Sequence, residues 1–374
     1  MLCRFENRRS GTALALDDFV ERIDVTTEQE LLPALEHIEQ RQRDGYWVGL
    51  IAAYELGEWL EPGCFPPASP HDPPSPRLSA LVFRSARREP VWPAPAAAKP
   101  EPLLRSRATM DYDDYRTALE ILRERIRNGD FYQVNYTFPV HVQSVEAPEM
   151  LYRRLANRHP SEFAAYIDDG QQQILSFSPE LFLQRRHTTL TARPMKGTAP
   201  RMADAEADLA VADALLASAK DRAENVMIVD LLRNDLGRIA TPGTVRVPAL
   251  FTLEKYPSVW TLTSTITARA PGTGLLTLLQ ALFPCGSITG APKIAAMHAI
   301  RQLEPHPRGV YCGSLGWLAP GGDFCLNVAI RTLVFHNSGS GVFGVGGGIV
   351  YDSDPALEWQ ECHWKARIVN LELP

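Results

Sequence analysis

Twelve prolines crowd residues 62–102 of this 374-residue chain, and they restrict its architecture more than any other feature. Proline lacks an amide hydrogen and fixes φ, so such density blocks helix and central strand alike. One strand, Leu78 to Arg84, is expected to interrupt the run. The second cluster, about 88–104, reads as a connector packed on the surface. The chain therefore divides into an N-terminal subdomain ending in a proline-rich connector, 1–104, and a larger core, 105–374.

In the first part, Glu28 to Arg43 carries Leu31, Leu32, Leu35 and Ile38 at helical spacing, and Tyr46 to Tyr54 reads as a buried strand. Beyond Asp111 the pattern firms. A helix capped by Asp113 or Asp114 runs to Arg127 and stops at Asn128-Gly129. A strand over Phe131 to Val140 and a helix over Leu151 to Arg158 follow. Short strands at Phe163 to Ile167, Gln173 to Phe177, Leu181 to Arg185 and Thr188 to Ala192, separated by turn signals, indicate an antiparallel sheet. They lead into Arg193-Pro194-Met195-Lys196-Gly197-Thr198, read as a tight turn carrying one lysine. Helices are expected over Ala203 to Lys220, Arg222 to Leu236 and Leu275 to Leu282, with strands at Gly243 to Val247 and Ser258 to Ala268. The last third reads as strands at Val310 to Leu318, Phe324 to Phe335 and Gly341 to Val350, then a helix capped by Asp354 with Pro355 at its first position.

A formal net charge of −6 leaves no basic excess to neutralise phosphates, which argues against a nucleic-acid binder or an anionic-membrane binder. No apolar run is long enough to span a bilayer, and Met1 to Asn7 has no signal pattern. The six cysteines form no CxxC pair, and Cys362-His363 lacks zinc-ligand spacing, so they read as thiols of a reducing, cytoplasmic compartment.

Four constellations could carry chemistry. Asp221 with Glu224, and Glu358 with Glu361, lie three apart and share helix faces, with Lys365 four beyond Glu361. Such faces are either solvated or meet across a cleft to hold a hard divalent cation. Gly286-Ser287-Ile288-Thr289-Gly290-Ala291-Pro292-Lys293 lacks the Walker pattern and reads as a loop-to-helix cap or a carboxylate site. The run Gly344-Val345-Gly346-Gly347-Gly348 lacks Rossmann spacing and reads as a bulge or a close approach of backbone to ligand. Arg331, in an otherwise apolar stretch, needs a partner, either a protein acid or a ligand carboxylate, with Tyr311 and Lys293 as possible helpers.

Together with Tyr132-Gln133-Val134-Asn135, Ser178-Pro179-Glu180, Glu224 to Leu231 and Arg233-Asn234-Asp235-Leu236, these motifs resemble, in this order, the chorismate-utilising enzyme family. The resemblance covers about Asp111 to Val369. It implies an α+β fold of large antiparallel sheets in a sandwich, with helices outside and a central active-site cleft, and it makes 105–374 a chorismate-binding catalytic core. It implies Mg²⁺ held by Glu224 and Glu361, with Asp221 and Glu358 near. It implies substrate contacts from Gln133, Gly197, Thr198, Thr289, Gly290 and the Gly346, Gly347 and Gly348 backbone, with Tyr311, Arg331 and Lys365 meeting carboxylates.

Two positions choose among members of the family. Isochorismate- and salicylate-forming members carry a water-activating lysine where this chain has Gln133. Anthranilate-forming members usually carry alanine where it has Lys196, so the resemblance favours amination at C4, the para-aminobenzoate and folate branch. By that analogy Lys196, with a lowered pKa, is the covalent nucleophile and Glu180 the general acid. Anthranilate formation is the alternative. Where many relatives have a histidine, this chain has Thr261. No Gly-x-Cys-x-Gly glutaminase elbow is present, so ammonia is expected as free ammonium or from a separate glutamine amidotransferase subunit.

Overall fold

The structure is a computed structural model. It describes residues 1–66, 75–96, 104–256, 259–336 and 339–370. The chain opens with β1 (Leu2–Asn7), β2 (Thr12–Val25), α1 (Glu28–Arg43), β3 (Trp47–Ala52), α2 (Leu56–Leu60) and β4 (Leu78–Pro90). Next come β5 (Leu104–Ala108), α3 (Tyr112–Arg127), β6 (Gln133–Ser144) and α4 (Pro148–Arg158). Five short strands follow: β7 (Phe163–Asp168), β8 (Gln173–Ser178), β9 (Leu181–Arg186), β10 (Thr189–Arg193) and β11 (Met195–Pro200). Two helices, α5 (Ala205–Ala217) and α6 (Ala219–Gly237), precede β12 (Arg246–Lys255), β13 (Val259–Arg269) and α7 (Leu275–Leu282). The two-residue β14 (Gly290–Ala291) leads into α8 (Lys293–Leu303). The chain then runs through β15 (Ser314–Leu318), β16 (Phe324–Asn327), β17 (Thr332–Phe335), β18 (Ser340–Ile349) and α9 (Pro355–Ala366).

Local chemistry explains the helix ends. In α1 a capping box joins Thr27 to Glu30, and Leu31, Ala34, Leu35 and Ile38 are buried along one face. In α9 the Asp354 side chain accepts from the Ala356 and Leu357 amides. The cap of α3 is Asp111, which accepts from the Asp114 amide; Asp113 and Asp114 already lie in the first turn. There they face the positive end of the helix dipole instead of capping it.

The strands form one continuous antiparallel ladder. Its first half runs β5–β6–β18–β17–β8–β7–β1. It continues β1–β2–β4–β3–β15–β16–β9–β10–β13–β12. The path folds back on itself. Asn327 Nδ2, at the end of β16, donates to Phe163 O in β7, and Ser178 Oγ in β8 donates to Val328 O. One large buried core joins the halves, from Phe138, Phe177 and Phe343 to Leu183, Leu318 and Phe324. Strands β1 to β4 are thus the hydrogen-bonded bridge between the halves. Among the described residues no helix is long and apolar enough to cross a membrane.

Three further sequence expectations about the strands and the connector change. Residues 88–90 of the expected connector are the end of β4, paired with β2, and Leu104 opens β5; residues 97–103 lie outside the described residues. Between them the Trp92 amide donates to Glu6 Oε1, and its ring packs against Tyr152 and Tyr166. The strand expected to stop at Val247 is instead β12, reaching Lys255. Pro248, register shifts on both sides of Ala249 and a left-handed Phe251 break its alternation, so the strand does not read as one from spacing. Phe324 to Phe335 is broken into β16 and β17, because Arg331 adopts a left-handed φ of 51° and interrupts the extended backbone.

Leu50 in β3 is 1% exposed, at the bridge between halves. Leu50→Ala is expected to cost about 2–5 kcal/mol. Urea unfolding should show one cooperative transition shifted to lower urea. A separate early transition would show that the N-terminal strands unfold on their own.

Candidate active site

The site is built around β11, the stretch expected as a tight turn. It is instead a short strand on β13, with a register shift between Met195 and Thr198. Gly197 sits in the bulge at φ 88°, where a Cβ would stand 3.0 Å from the Asp221 Cβ. Only glycine fits such a conformation without strain. Five hydrogen bonds hold the bulge. Thr261 Oγ1 donates to Gly197 O at 3.0 Å, and the Ser264 amide donates to Pro194 O. Asn225 Nδ2 reaches Lys196 O and Leu262 O, and Ser264 Oγ fixes Asn225 by donating to its Oδ1 at 2.6 Å. Thr261 therefore anchors backbone here.

The bulge sends the Lys196 side chain into a cavity, across the glycine run of β18. A Cβ on Gly348 would lie 2.5 Å from Lys196 Nζ and 2.9 Å from Gln133 Nε2. The Gln133 side chain is buried, and neither of its amide atoms has a hydrogen-bond partner among the described residues. Two unsatisfied polar atoms in a buried place are expensive unless a ligand or water meets them. Gly344 makes room for the Tyr311 ring, which would lie 2.1 Å from a Cβ there.

Glu180 faces the same cavity and is 3% exposed. Ser287 Oγ donates to its Oε1 at 2.6 Å. Burial pushes Glu180 up to about 7, against the pull of the Ser287 hydrogen bond, the nearby Met195 amide and the Lys196 charge. It is poised to exchange a proton near neutrality.

Opposite stand Arg331 and Tyr311. Burial lowers the Arg331 pKa, and its guanidinium makes no ion pair with the described residues. Lys293, expected as a helper of Arg331, lies elsewhere: its Nζ is bound to Asp235 Oδ2 at 3.0 Å and to Leu282 O. That pair ties α8 to α6 and α7 and leaves Arg331 available for a ligand.

An acidic wall comes from α6 and α9. Asp221, Glu224, Glu358 and Glu361 all line the cavity. Burial, then the neighbouring carboxylates, raise Glu224 in spite of Lys196 and Lys220. Burial and then the Glu361 charge raise Glu358, which accepts from Ser353 Oγ. Glu361 is lowered by Lys365, whose Nζ lies 2.7 Å from Glu361 Oε1 and donates to Gly346 O. Among the described residues no three His, Cys, Asp or Glu side chains gather into a closed metal cage.

Of the remaining expected residues, Gly197, Thr198, Gly346, Gly348 and Lys365 line the cavity. Gln133 and Gly347 touch that wall from behind: a Cβ on Gly347 would meet Glu358 and Lys365. Thr289 and Gly290 lie a layer deeper. Thr289 Oγ1 donates to Cys285 O, and Gly290 packs on the backbone of Gln133 and Val134. Sequence reasoning passed over Asn135, Ser287 and Lys220 as lining residues, although the first two stand in motifs it singled out. It also missed Arg308. This buried guanidinium pairs with Glu304 and donates to Ile288 O and Asn135 O, so it fixes two walls of the cavity from behind. No local motif marks it.

A family described as chorismate binding enzyme matches residues 69–370 of the chain. Aminodeoxychorismate synthase component 1 of Klebsiella aerogenes is 43% identical over 81% of this chain and 65% of its own length. The protein of that name from Salmonella typhimurium is 47% identical over 63% of this chain and 52% of its own length. Anthranilate synthase component 1 of Pseudomonas aeruginosa is 38% identical over 78% of this chain and 59% of its own length. The chain thus spans about half to two-thirds of the length of these curated relatives. Among solved structures, anthranilate synthase component I from Streptococcus pneumoniae has a TM-score of 0.83 at 26% identity, covering 96% of this chain and 92% of that one. MenF, the menaquinone-specific isochorismate synthase from Escherichia coli, has a TM-score of 0.75 at 19% identity, covering 99% and 88%; it bears on the fold alone.

The raised Glu180 carries a stability signature. Between its ordinary value of 4.5 and about 7, the folded state binds more protons than the unfolded state, so this group's contribution falls as pH rises through that window. Glu180→Gln removes the effect. Relative to wild type, the variant should gain about 2–3 kcal/mol between about pH 5 and pH 8. Urea unfolding at both pH values checks it; an unchanged difference would place the Glu180 carboxyl in the usual range.

Proposed function

The chain belongs to the chorismate binding enzyme family, and we propose that it aminates chorismate at C4 to give 4-amino-4-deoxychorismate. The observation that carries this reading is Lys196: its amine enters the cavity over Gly348, beside the unpartnered Gln133 amide and on the same cavity as Glu180. In its neutral form Lys196 Nζ bonds to C2 of the ring while the C4 hydroxyl departs. Protonated Glu180 delivers the proton that makes that group leave as water. Ammonia then bonds to C4 and expels the lysine from C2, and ionised Glu180 takes up the proton released by the incoming nitrogen. One difficult displacement becomes two easier ones.

Arg331, Tyr311 and Lys365 bind and orient the substrate carboxylates. A free guanidinium suits bidentate recognition of a carboxylate. The acidic wall fits a divalent cation: burial and mutual repulsion raise Glu224 and Glu358, and a cation would relieve both. Mg²⁺ commonly uses one or two carboxylates and takes its other ligands from water and substrate, so a closed cage is not required. Glu224 and Glu361 would hold it, with Glu358 and Asp221 near. When bound, it would supply positive charge for the ring carboxylate.

Ammonia comes from ammonium or from a separate glutamine amidotransferase, in line with the component 1 names of the relatives. We place the reaction in the cytoplasm. The second reading is anthranilate formation, supported by relatives of that name at 38% identity. Lys196→Ala separates the two. With chorismate, Mg²⁺ and ammonium, the variant should lose C4 amination by at least about a hundredfold, followed by chromatography and mass spectrometry of the products. Wild-type rates of 4-amino-4-deoxychorismate from the variant would remove the covalent role.

A further inference from the structure

Glu180 is backed by two buried groups that the reaction above does not use. Ser287 and Cys285 stand in the segment that leads to α8, and both are almost fully buried. Ser287 Oγ donates to Glu180 Oε1 at 2.6 Å, and Cys285 Sγ lies 3.2 Å from the same hydroxyl oxygen. A serine hydroxyl has one hydrogen to give and lone pairs to receive. Burial pushes the Cys285 thiol up to about 12, so it keeps its proton. With the serine hydrogen committed to Glu180, the thiol must be the donor to the serine oxygen. Direction is therefore built into the chain: Cys285 S–H to Ser287 O–H to Glu180 Oε1.

We propose that Cys285 and Ser287 are positioning residues that reserve Oε1 of Glu180 as an acceptor and leave its transferable proton on Oε2. This rests on the reading of Glu180 as the general acid. The Met195 amide beside the carboxyl favours its ionised form and cannot take that proton. Met195 precedes Lys196, so the acid lies beside the strand that carries the nucleophile. The titratable groups facing Glu180 are Lys196 from β11 and the thiols of Cys285 and Cys312. The thiols stay neutral, and the Lys196 charge favours the ionised acid. Losing the serine donor removes a bond to the carboxylate form, so the Glu180 limb of a pH profile moves up.

The test compares Ser287→Ala, Cys285→Ala, Cys285→Ser and Glu180→Gln. It follows kcat and KM for chorismate with ammonium and Mg²⁺ across pH. Infrared titration of the Glu180 carboxyl, identified by its absence from Glu180→Gln, gives a readout that does not depend on turnover. Ser287→Ala should lower kcat about tenfold, leave KM within about twofold and move the carboxyl titration up by about half a unit or more. Cys285→Ala should give a smaller loss, about threefold, and Cys285→Ser, which keeps a donor, should restore the wild-type profile. The proposal is overturned if Ser287→Ala leaves both kcat and the titration in place, or if its loss lies wholly in KM. It is overturned equally if Cys285→Ala and Cys285→Ser behave alike, a comparison that still decides should Ser287→Ala fail to fold. If Glu180→Gln itself keeps the wild-type rate, the general-acid reading falls, and this proposal with it. A dead Glu180→Gln beside a silent Ser287→Ala overturns the proposal alone.

Discussion

The site depends on a one-residue irregularity in a six-residue strand. Regular pairing of β11 with β13 would keep Lys196 in the alternation of the ladder. The register shift at Gly197 breaks that alternation and re-aims the lysine. The shift persists because Thr261, Ser264 and Asn225 accept its geometry and satisfy its carbonyls. Those three residues come from β13 and α6, and α6 also supplies Asp221 and Glu224. One small cluster of hydrogen bonds thus fixes the lysine relative to half of the acidic wall.

The remainder of the cavity is arranged by charge. Arg331 and Lys365 face the ligand space as cations, the first without a carboxylate among the described residues and the second shared with Glu361. Glu180 is a carboxyl kept apart from the acidic wall, held by the Ser287 hydroxyl and lifted by burial. In the proposed reaction the acid, the nucleophile, the anion-binding groups and the carboxylate wall then have different environments, which lets side chains of similar intrinsic pKa do different work. Behind this front, Arg308 and Glu304 brace β6 and the segment before α8, so that the walls do not depend on surface loops.

Much of this was legible in the sequence, and the remainder was not for physical reasons. The helices announced themselves through local signals, as with Asp354 and Pro355 before α9 or the apolar stripe of α1. The candidate residues were found because their motifs occur in a recognisable order, not because spacing proved a role; Glu358 and Glu361 alone said only that two acids share a helix face. What escaped depends on partners distant in the chain. Residues 195–200 look like a turn, with proline and glycine at hand, and become a strand only against β13, some sixty residues on. Lys293 seemed free to meet Arg331 until α6 placed Asp235 beside it. Arg308 and the chain from Cys285 to Glu180 carry no local signature. The long β2 escaped because its polar alternation is resolved by β1 on one side and β4 on the other.

The central claim is that this cavity directs nitrogen to C4 of chorismate through Lys196. The most direct measurement incubates the purified protein with chorismate, Mg²⁺ and ammonium, and identifies the product by chromatography and mass spectrometry. The account expects 4-amino-4-deoxychorismate. Anthranilate or isochorismate as the product, or no turnover by the folded protein, would contradict it.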